Sequence, residues 1–156
     1  MRILITVGTT PFDQLIRFCD ENLSSTLAIT MQISDRAHYV PRRFASFRFT
    51  HDILARYRDA DLVITHAGAG TIFTLLEMRK RIIVVPNLER NDRHQKDIAN
   101  VVSQKKWGLV CWHYRDIPVL IERAADFPMT PYERKEFSGG TYIDTIINEL
   151  YFSANQ

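Results

Sequence analysis

The sequence predicts an α/β fold in which helices cover both faces of an open parallel sheet. Short β-branched runs alternate along the chain with segments whose apolar residues recur at helical spacing. Three of the turns that follow predicted strands have unusual chemistry, at residues 8–10, 66–70 and 87–95. Because parallel sheets bind ligands beyond the carboxyl ends of their strands, we expect these turns to meet in one site.

The length and composition of the chain indicate a single domain over residues 1–156. Its 156 residues are 46% hydrophobic and 24% charged, which suffices for a sizeable core. Its apolar runs are shorter than the roughly 18–20 residues that span a bilayer. A formal net charge of +2 gives no indication of nucleic-acid binding. Cys19 and Cys111 are expected to be reduced core residues of a cytoplasmic protein.

Strands and helices are predicted in alternation, separated by turns rich in glycine, proline and polar residues. The strands are predicted at residues 3–7, 27–31, 47–49, 62–64, 82–85 and 109–111. A basic loop is predicted over residues 34–46. The first helix is predicted from Pro11 to about residue 23, with Thr10 as its N-cap.

Further helices are predicted at 52–59, with Ile53, Leu54 and Tyr57 inward, and then from Thr71, at 94–106 and at 117–125. Gly108 is expected to end the helix over residues 94–106. A final helix over residues 140–152 carries a broad apolar stripe. It is predicted either to pack on its own domain or to dock on a partner chain.

The predicted ligand site centres on the segment from residue 61 to residue 76. It reads as a buried strand, a glycine-rich turn beginning at His66, and a helix from Thr71. Free N–H groups at a helix N-terminus suit an anion, and glycine lets a phosphate approach closely. The leading hypothesis is therefore that this turn holds the diphosphate of a nucleotide-sugar. A tight connection with no ligand is the alternative.

Two further features have both a structural and a ligand-binding interpretation. His66 ends the strand beside the helix N-terminus, where it either stabilises the fold or contacts a phosphate or sugar oxygen. Residues 89–96 are dense in hydrogen-bond donors. They form either a solvated loop, with Asn91 or Asp92 capping the next helix, or a sugar- or phosphate-binding loop.

Several kinds of site are not supported by the motifs. The turn at residues 68–73 lacks the third glycine of the dinucleotide fingerprint, and no Gly-Lys-Ser/Thr of a P-loop follows. The histidines His66, His94 and His113 lie on separate elements without a metal-ligand spacing. No metal site is therefore predicted, and no Ser-His-Asp or Cys-His constellation is evident.

Four motifs resemble the C-terminal, donor-binding half of glycosyltransferase family 28, in an order and spacing that cover about residues 1–110. They include stretches similar to the stand-alone, PssE-type exopolysaccharide subunits and to the catalytic subunit of a two-part N-acetylglucosaminyl transferase. The motifs are Val7-Gly8-Thr9-Thr10 with Phe12-Asp13, residues 60–71 with their His-Ala-Gly-Ala-Gly-Thr ending, Ile83-Val84-Val85-Pro86-Asn87, and Asn91-Asp92-Arg93-His94-Gln95 with Ala99-Asn100.

The resemblance implies a Rossmann-like sheet that forms one GT-B half, the donor-binding lobe. It implies a UDP-sugar donor, inversion at the anomeric carbon, and no metal ion or other cofactor. His66 would be the catalytic residue and would stabilise the leaving UDP. The other implied donor-binding residues are Gly8, Thr9, Thr10, Gly68, Ala69, Gly70 and Thr71 for the diphosphate, Asn91 and Asp92 beside them, and His94 and Gln95 for the sugar hydroxyls.

The resemblance also implies a second, membrane-associated polypeptide that supplies the acceptor half and recruits a polyprenyl-diphosphate-linked acceptor. The chain would then be a cytoplasmic subunit, peripheral at the inner membrane face through its partner, in exopolysaccharide or capsule biosynthesis. It would be active only with that partner. A non-catalytic subunit that stabilises or stimulates a partner transferase is the alternative. A flavodoxin- or dehydrogenase-type enzyme is disfavoured by the missing fingerprint.

One position departs from the family pattern. Where the family usually has a glutamate that grips the ribose hydroxyls, one turn into the helix, this chain has Thr74. Glu77 follows three residues later, on nearly the same helical face. The resemblance therefore leaves the ribose contact to Thr74 or to Glu77.

Overall fold

A computed structural model of the chain describes residues 1–89 and 94–133, which include a six-stranded sheet. All neighbouring strands are parallel, in the order β3-β2-β1-β4-β5-β6. The predicted open parallel sheet is therefore confirmed. The strands are β1 (Arg2–Thr6), β2 (Ala28–Gln32), β3 (Ala45–Phe47), β4 (Leu62–His66), β5 (Arg81–Val85) and β6 (Leu109–Val110).

Helices cover both faces of this sheet. They are α1 (Asp13–Asn22), α2 (Ile53–Asp59), α3 (Ala69–Glu77), α4 (His94–Gln104) and α5 (Ile117–Ala124), and a 3₁₀ turn (Tyr114–Asp116) precedes α5. One core layer packs α1 and α5 on the sheet, and the other packs α2, α3 and α4. Alternate residues of each strand face the two layers, as Ile5 and Leu4 do in β1.

Both cysteines are core residues, as predicted. Cys19 and Cys111 are free thiols with 0% and 1% exposure in the layer that holds α1 and α5. Burial raises the pKa of Cys19 above its usual value and that of Cys111 to about 11. Thiols that stay protonated at neutral pH are poor nucleophiles, so neither residue is suited to covalent catalysis.

The helices that follow β1 and β4 lie on opposite faces of the sheet. These strands are neighbours in the sheet, but β1 leads to α1 on one face and β4 leads to α3 on the other. Such a divergence opens a crevice at the carboxyl edge of a parallel sheet. The turns at residues 8–10 and 66–70 flank this crevice.

The first helix begins two residues later than predicted. Phe12, with φ −143°, precedes α1 and provides no side-chain cap, so the prediction of Thr10 as N-cap and Pro11 as first helical residue is wrong. The Phe12 side chain is 4% exposed, and its ring packs in the core while its backbone stays non-helical, with ψ 59°. The first helical residue, Asp13, accepts hydrogen bonds from the backbone N–H groups of His38 and Tyr39.

The end of α4 also differs from the prediction. The helix ends at Gln104, and Lys106, rather than Gly108, adopts the left-handed conformation that follows it, with φ 54°. Gly108 has a different role. A Cβ there would lie 2.4 Å from Cγ1 and 2.9 Å from the carbonyl oxygen of Ile82, so close packing against β5 requires glycine.

Smaller differences concern β3, α2 and α3. β3 lies at Ala45–Phe47 rather than 47–49, because its pairing with β2 at this sheet edge, not its apolar content, sets its position. Asp52 caps α2 by accepting from the Ala55 N–H, but Leu54 is 45% exposed and points outward, against the prediction. α3 begins at Ala69, two residues before Thr71.

A buried carboxylate holds the basic loop that follows β2. Asp20, with 1% exposure, accepts hydrogen bonds from the hydroxyl of Tyr39 and the N–H groups of Arg42, Arg43 and Phe44. Burial alone would raise the pKa of Asp20. The hydrogen bonds outweigh it and hold the pKa below its usual value.

Part of the sequence prediction lies outside the described residues. This part comprises the final helix over residues 140–152 and residues 90–93 between β5 and α4. Across the described ranges, no helix has the length and apolar character needed to cross a membrane.

Candidate functional site

The crevice between β1 and β4 brings two of the predicted turns into contact. Gly8 follows β1 with φ +64°, in the left-handed region that glycine adopts without strain. A Cβ built on Gly8 would lie 3.1 Å from Cε1 of His66, the last residue of β4. The first turn and the glycine-rich turn therefore adjoin at this edge.

The imidazole of His66 packs on the backbone of both turns. A Cβ on Gly68 would lie 2.2 Å from Nε2 of His66, and the Gly68 N–H donates to the His66 carbonyl over 2.8 Å. The His66 residue is half-buried. Gly8 and Gly68 therefore leave room for an imidazole. The sequence-based prediction was instead that glycine in the glycine-rich turn allows a phosphate to approach.

The N-terminus of α3 provides donors suited to an anion. Gly68 precedes the helix, and no acidic residue lies in the first turn. The N–H groups of Ala69, Gly70 and Thr71 have no acceptor inside the helix. Gly70 is exposed, and a Cβ there would meet nothing within 4 Å. A phosphate could therefore reach these N–H groups without displacing a side chain.

A cleft of about 670 Å³ opens beside the first turn. It contains three predicted site residues, Gly8, Thr9 and Thr10, and none from residues 66–71. The cleft is lined by Gly8, Thr9, Thr10, Pro11, Gln32, Asp35, Arg36, Arg48, Phe49, Thr50, Ile53 and Tyr57. The loops after β1, β2 and β3 thus form its walls, with α2 alongside them.

Side-chain hydrogen bonds tie these three loops together. The side-chain amide of Gln32 donates to the carbonyls of Gly8 and Arg48 and accepts from the Gly8 N–H. Ser34 Oγ donates to the Thr9 carbonyl over 2.8 Å. The Arg48 guanidinium donates to the carbonyls of Ser34 and Asp35, each over 2.9 Å. The cleft is therefore held in one shape by contacts between its own walls.

Tyr57 links the cleft to the start of α3. Tyr57 is 5% exposed, and it is one of the residues that line the cleft. Burial raises the pKa of the Tyr57 phenol, and hydrogen bonding with the hydroxyls of Thr71 and Thr6 opposes that rise. The first turn of α3 is thus connected to the cleft through a protonated phenol.

Sequence reasoning missed several of the cleft residues. Gln32, Arg48 and Tyr57 were not predicted as site residues, and Arg36 was assigned only to a basic loop. One signal was present at Gln32, a polar residue at the carboxyl end of an apolar strand on the ligand-binding edge. The partners of Gln32 are 16 and 24 residues distant in sequence, so no local motif identifies them.

The predicted ribose-binding positions lie on α3. The Thr74 hydroxyl donates to the Gly70 carbonyl one turn earlier, over 2.8 Å. A hydroxyl has one proton, and Thr74 donates it to a carbonyl of its own helix. Glu77 is exposed at the last residue of α3. Neither side chain lines the cleft.

The third predicted turn lies partly outside the described residues, which exclude Asn91 and Asp92. Gln95 accepts a hydrogen bond from the Asn87 N–H over 2.9 Å, which ties α4 to the end of β5. The carboxylate of Glu89 accepts from the side chain of Gln14 in α1. His94 is exposed at the start of α4.

The described part of the site offers cations and N–H donors rather than a metal cage. Across residues 1–89 and 94–133, no group of three or more His, Cys, Asp or Glu side chains is placed to hold a metal ion. Arg36 and Arg48 line the cleft. The Arg48 guanidinium donates to carbonyls of the cleft walls, so it is Arg36 that, together with the N-terminus of α3, favours a ligand that carries phosphate groups.

Solved structures with the same architecture are glycosyltransferases of the GT-B type. The solution structure of ALG13 superposes with a TM-score of 0.59 at 18% identity, covering 97% of this chain and 96% of that one. MurG of Acinetobacter baumannii superposes with a TM-score of 0.55 at 17% identity, covering 97% of this chain and 49% of that one. The fold is therefore a Rossmann-like GT-B half.

The chain belongs to the glycosyltransferase family 28 C-terminal domain family, which matches residues 2–136. It is similar to the UDP-N-acetylglucosamine transferase subunit ALG13 of Mus musculus, with 37% identity over 125 residues, 70% of this chain and 10% of that protein. The Homo sapiens protein of that name is 38% identical over 125 residues, 70% of this chain and 11% of that protein. The matched region of this chain thus spans about a tenth of these mammalian relatives.

Proposed function

We propose that the chain is the donor-binding, catalytic half of a UDP-sugar-dependent inverting glycosyltransferase. The observation that carries the proposal is the contact of His66 with Gly8. It joins the glycine-rich turn and the N-terminus of α3 to the cleft of about 670 Å³. A nucleotide in the cleft would then extend its diphosphate toward α3.

The leaving diphosphate is stabilised by hydrogen-bond donors instead of a metal ion. The N–H groups of Ala69, Gly70 and Thr71 face the anion, but that of Gly68 does not contribute because it donates to the His66 carbonyl. The His66 imidazole and the Thr9 hydroxyl supply further donors. Preorganised donors of this kind stabilise charge that develops in the transition state.

The reaction moves one sugar with inversion at its anomeric carbon. An acceptor hydroxyl oxygen forms the new bond to that carbon as the bond to the diphosphate oxygen breaks. The bonding electron pair leaves with UDP, and the hydroxyl proton passes to a general base that we assign to the partner. His94 and Gln95 contact the sugar, and Asn91 and Asp92 belong to the same proposed donor-binding loop.

The names of relatives support N-acetylglucosamine as the sugar and a lipid diphosphate as the acceptor. The mammalian relatives are named UDP-N-acetylglucosamine transferase subunits. A relative from Prochlorococcus marinus is named as an N-acetylglucosamine transferase that acts on a pyrophosphoryl-undecaprenol. It is 32% identical over 63 residues, 40% of this chain and 17% of that protein. We therefore propose UDP-N-acetylglucosamine and a polyprenyl-diphosphate-linked acceptor.

A lipid-linked acceptor places the proposed reaction at a membrane. A membrane-associated partner subunit supplies the acceptor half of the cleft and keeps this chain at the cytoplasmic face of the inner membrane. We assign the reaction to exopolysaccharide or capsule biosynthesis, because the motif set resembles the PssE-type subunits. The word "subunit" in the names of the mammalian relatives supports a partner.

A transfer assay tests this proposal. The purified chain is incubated with labelled UDP-N-acetylglucosamine, a metal chelator and membranes from cells that lack its gene. We expect label to enter the lipid extract only when the chain is added. Chain-independent transfer, or strict dependence on a divalent metal, would oppose the proposal. UDP-glucose and UDP-galactose serve as donor controls.

A second candidate function is a non-catalytic subunit that stabilises or stimulates a partner transferase. The observation that favours it is Thr74, whose hydroxyl proton is used by the Gly70 carbonyl. The variant Thr74→Glu tests by UDP calorimetry whether this position weakens the donor site. Tighter binding would indicate a donor site weakened at this position, whereas unchanged binding would point to Glu77 or to a different ribose contact.

A further inference from the structure

Gln32 is the last residue of β2, and its side chain lies at the centre of the cleft walls. Its Oε1 accepts from the Gly8 N–H over 3.0 Å and from the Thr6 hydroxyl over 2.6 Å. The two N–H groups of its Nε2 lie within hydrogen-bond distance of three carbonyls, so one of them is shared: those of Gly8 and Arg48 at 3.0 Å each and that of Ile33 at 3.1 Å. With 8% exposure, the amide is nearly removed from water.

The orientation of this amide follows from Gly8. The Gly8 N–H requires the oxygen of Gln32 on its side, and the Gly8 carbonyl requires the nitrogen. The planar amide of Gln32 therefore forms hydrogen bonds with both the N–H and the carbonyl of Gly8. The same nitrogen also binds the Arg48 carbonyl, so the position of the first turn is linked to the loop after β3.

Only glutamine among the residues of this size can make all of these contacts. Glutamate keeps the acceptor but loses both N–H donors, and methionine loses the acceptor as well. A buried backbone carbonyl left without a partner costs about 1–3 kcal/mol, and the carbonyls of Gly8 and Arg48 lie in part-buried positions where some of this cost applies. The loops would therefore move apart toward water rather than remain in place without the amide.

We propose that Gln32 is a positioning residue that sets the distance between the first turn and the loop after β3, and thereby the affinity of the cleft for its nucleotide. The identity of the nucleotide as UDP rests on the proposed function. Gln32 itself need not touch the ligand. It acts through Gly8 and Arg48, whose neighbours Thr9, Thr10, Phe49 and Thr50 line the cleft.

The test uses Gln32→Met and Gln32→Glu, with Arg81→Met as the matched control. Arg81 also donates from its side chain to two backbone carbonyls, those of Ala124 and Phe127. It is the first residue of β5 and therefore lies at the amino ends of the strands, whereas the cleft lies at their carboxyl ends. The control removes comparable side-chain-to-backbone bonds without altering the cleft.

Two readouts are measured on each variant. The first is the carbonyl ¹³C shifts of Gly8 and Arg48 together with hydrogen exchange at the Gly8 amide, without nucleotide. We expect both Gln32 variants to change the two carbonyl shifts together, and Gln32→Met to speed exchange at Gly8. Unchanged shifts in either folded variant would overturn the proposal.

The second readout is the dissociation constant for UDP. We expect it to rise at least about tenfold in the Gln32 variants, which corresponds to about 1.4 kcal/mol, and to stay within about twofold of the wild type in Arg81→Met. Equal losses in all three variants would overturn a positioning role. If the wild-type chain does not bind UDP, the proposed function fails, whereas the carbonyl shifts still decide the role of Gln32.

Discussion

The imidazole of His66 occupies the space that a side chain at residue 68 would need. A Cβ on Gly68 would lie 2.2 Å from Nε2 and 2.8 Å from Cε1 of His66. The backbone of Gly68, with φ −88° and ψ 121°, is otherwise open to any residue. The glycine is therefore required by the neighbouring histidine and not by its own conformation.

This relationship predicts strong coupling between substitutions at the two positions. Gly68→Ala forces the imidazole out of its place, and such overpacking costs about 1–3 kcal/mol of unfolding free energy. In a His66→Ala background, the same change should cost less than about 1 kcal/mol, because the clash is gone and only the preference of an N-cap for glycine over alanine remains. Chemical denaturation of the wild type, both single variants and the double variant measures the coupling. Additive free energies would contradict the packing described.

His66→Ala should reduce turnover far more than it reduces stability. Removal of one donor to the developing charge typically lowers kcat by about 10²–10³. The matched control is Gly108→Ala, which disturbs packing on Ile82 away from the site and should lower stability without a specific loss of turnover. Both variants are assayed with the partner membranes below their unfolding temperatures. A rate equal to that of the wild type in His66→Ala would remove the proposed role of this side chain.

Arg36→Ala should weaken UDP binding. Arg36 is exposed at the wall of the cleft, and its backbone N–H donates to Ser34 Oγ, which fixes the backbone at this point. Hydrogen bonds from arginine to phosphate are charge-assisted, so we expect about a tenfold loss of affinity. Calorimetry at two salt concentrations measures the effect.

Arg42→Ala provides the control for Arg36. Arg42 is also exposed, but it lies outside the cleft lining, and the Asp20 carboxylate accepts from its backbone N–H rather than its side chain. Equal losses of affinity in the two variants would show that net charge, and not the position of Arg36, governs binding.

The sequence predicted the sheet well because the signals for it are local. β-branched runs such as residues 62–64 and 82–85 indicate buried strands without any knowledge of their neighbours. The start of α1 was missed because Thr10 and Pro11 carry local start signals, whereas burial of Phe12 decides the outcome. The role of Gly108 was misassigned because its reason, Ile82, lies 26 positions earlier in the sequence.

The site was predictable only in part, for the same reason. The first turn and His66 stood out by residue type and by their position after strands. The contact between Gly8 and His66 depends on β1 and β4 being neighbours, which the chain order does not specify. Gln32 and Tyr57 act through partners on other elements, so no pattern along the chain identified them.

Stability should fall at acid pH through Asp20. Its pKa in the folded state lies below the usual value because of the hydrogen bonds from the loop after β2, despite the opposing effect of burial. A carboxyl with a lowered folded-state pKa contributes its full stability above its unfolded pKa of about 3.9. That contribution is lost as the pH falls toward the folded-state pKa.

The comparison with Asp20→Asn isolates this contribution. We expect the variant to unfold about 2 kcal/mol more easily at neutral pH, because hydrogen bonds to a charged group are worth about 1.5–3 kcal/mol. The difference from the wild type should shrink below about pH 4. Denaturation midpoints across the pH range measure it. A constant difference down to pH 2 would mean that the Asp20 charge does not support the loop.

The proposed metal-independent donor site is tested by an amide NMR titration of the chain with UDP and UDP-N-acetylglucosamine, first with a chelator and then with magnesium. We predict metal-independent shifts at Gly8, Thr9, Gly70 and Thr71, which form the proposed diphosphate site. Shifts that appear only with magnesium would contradict the stabilisation of the diphosphate by His66 and the N-terminus of α3. Silence of these amides at millimolar ligand would contradict a donor site on this chain.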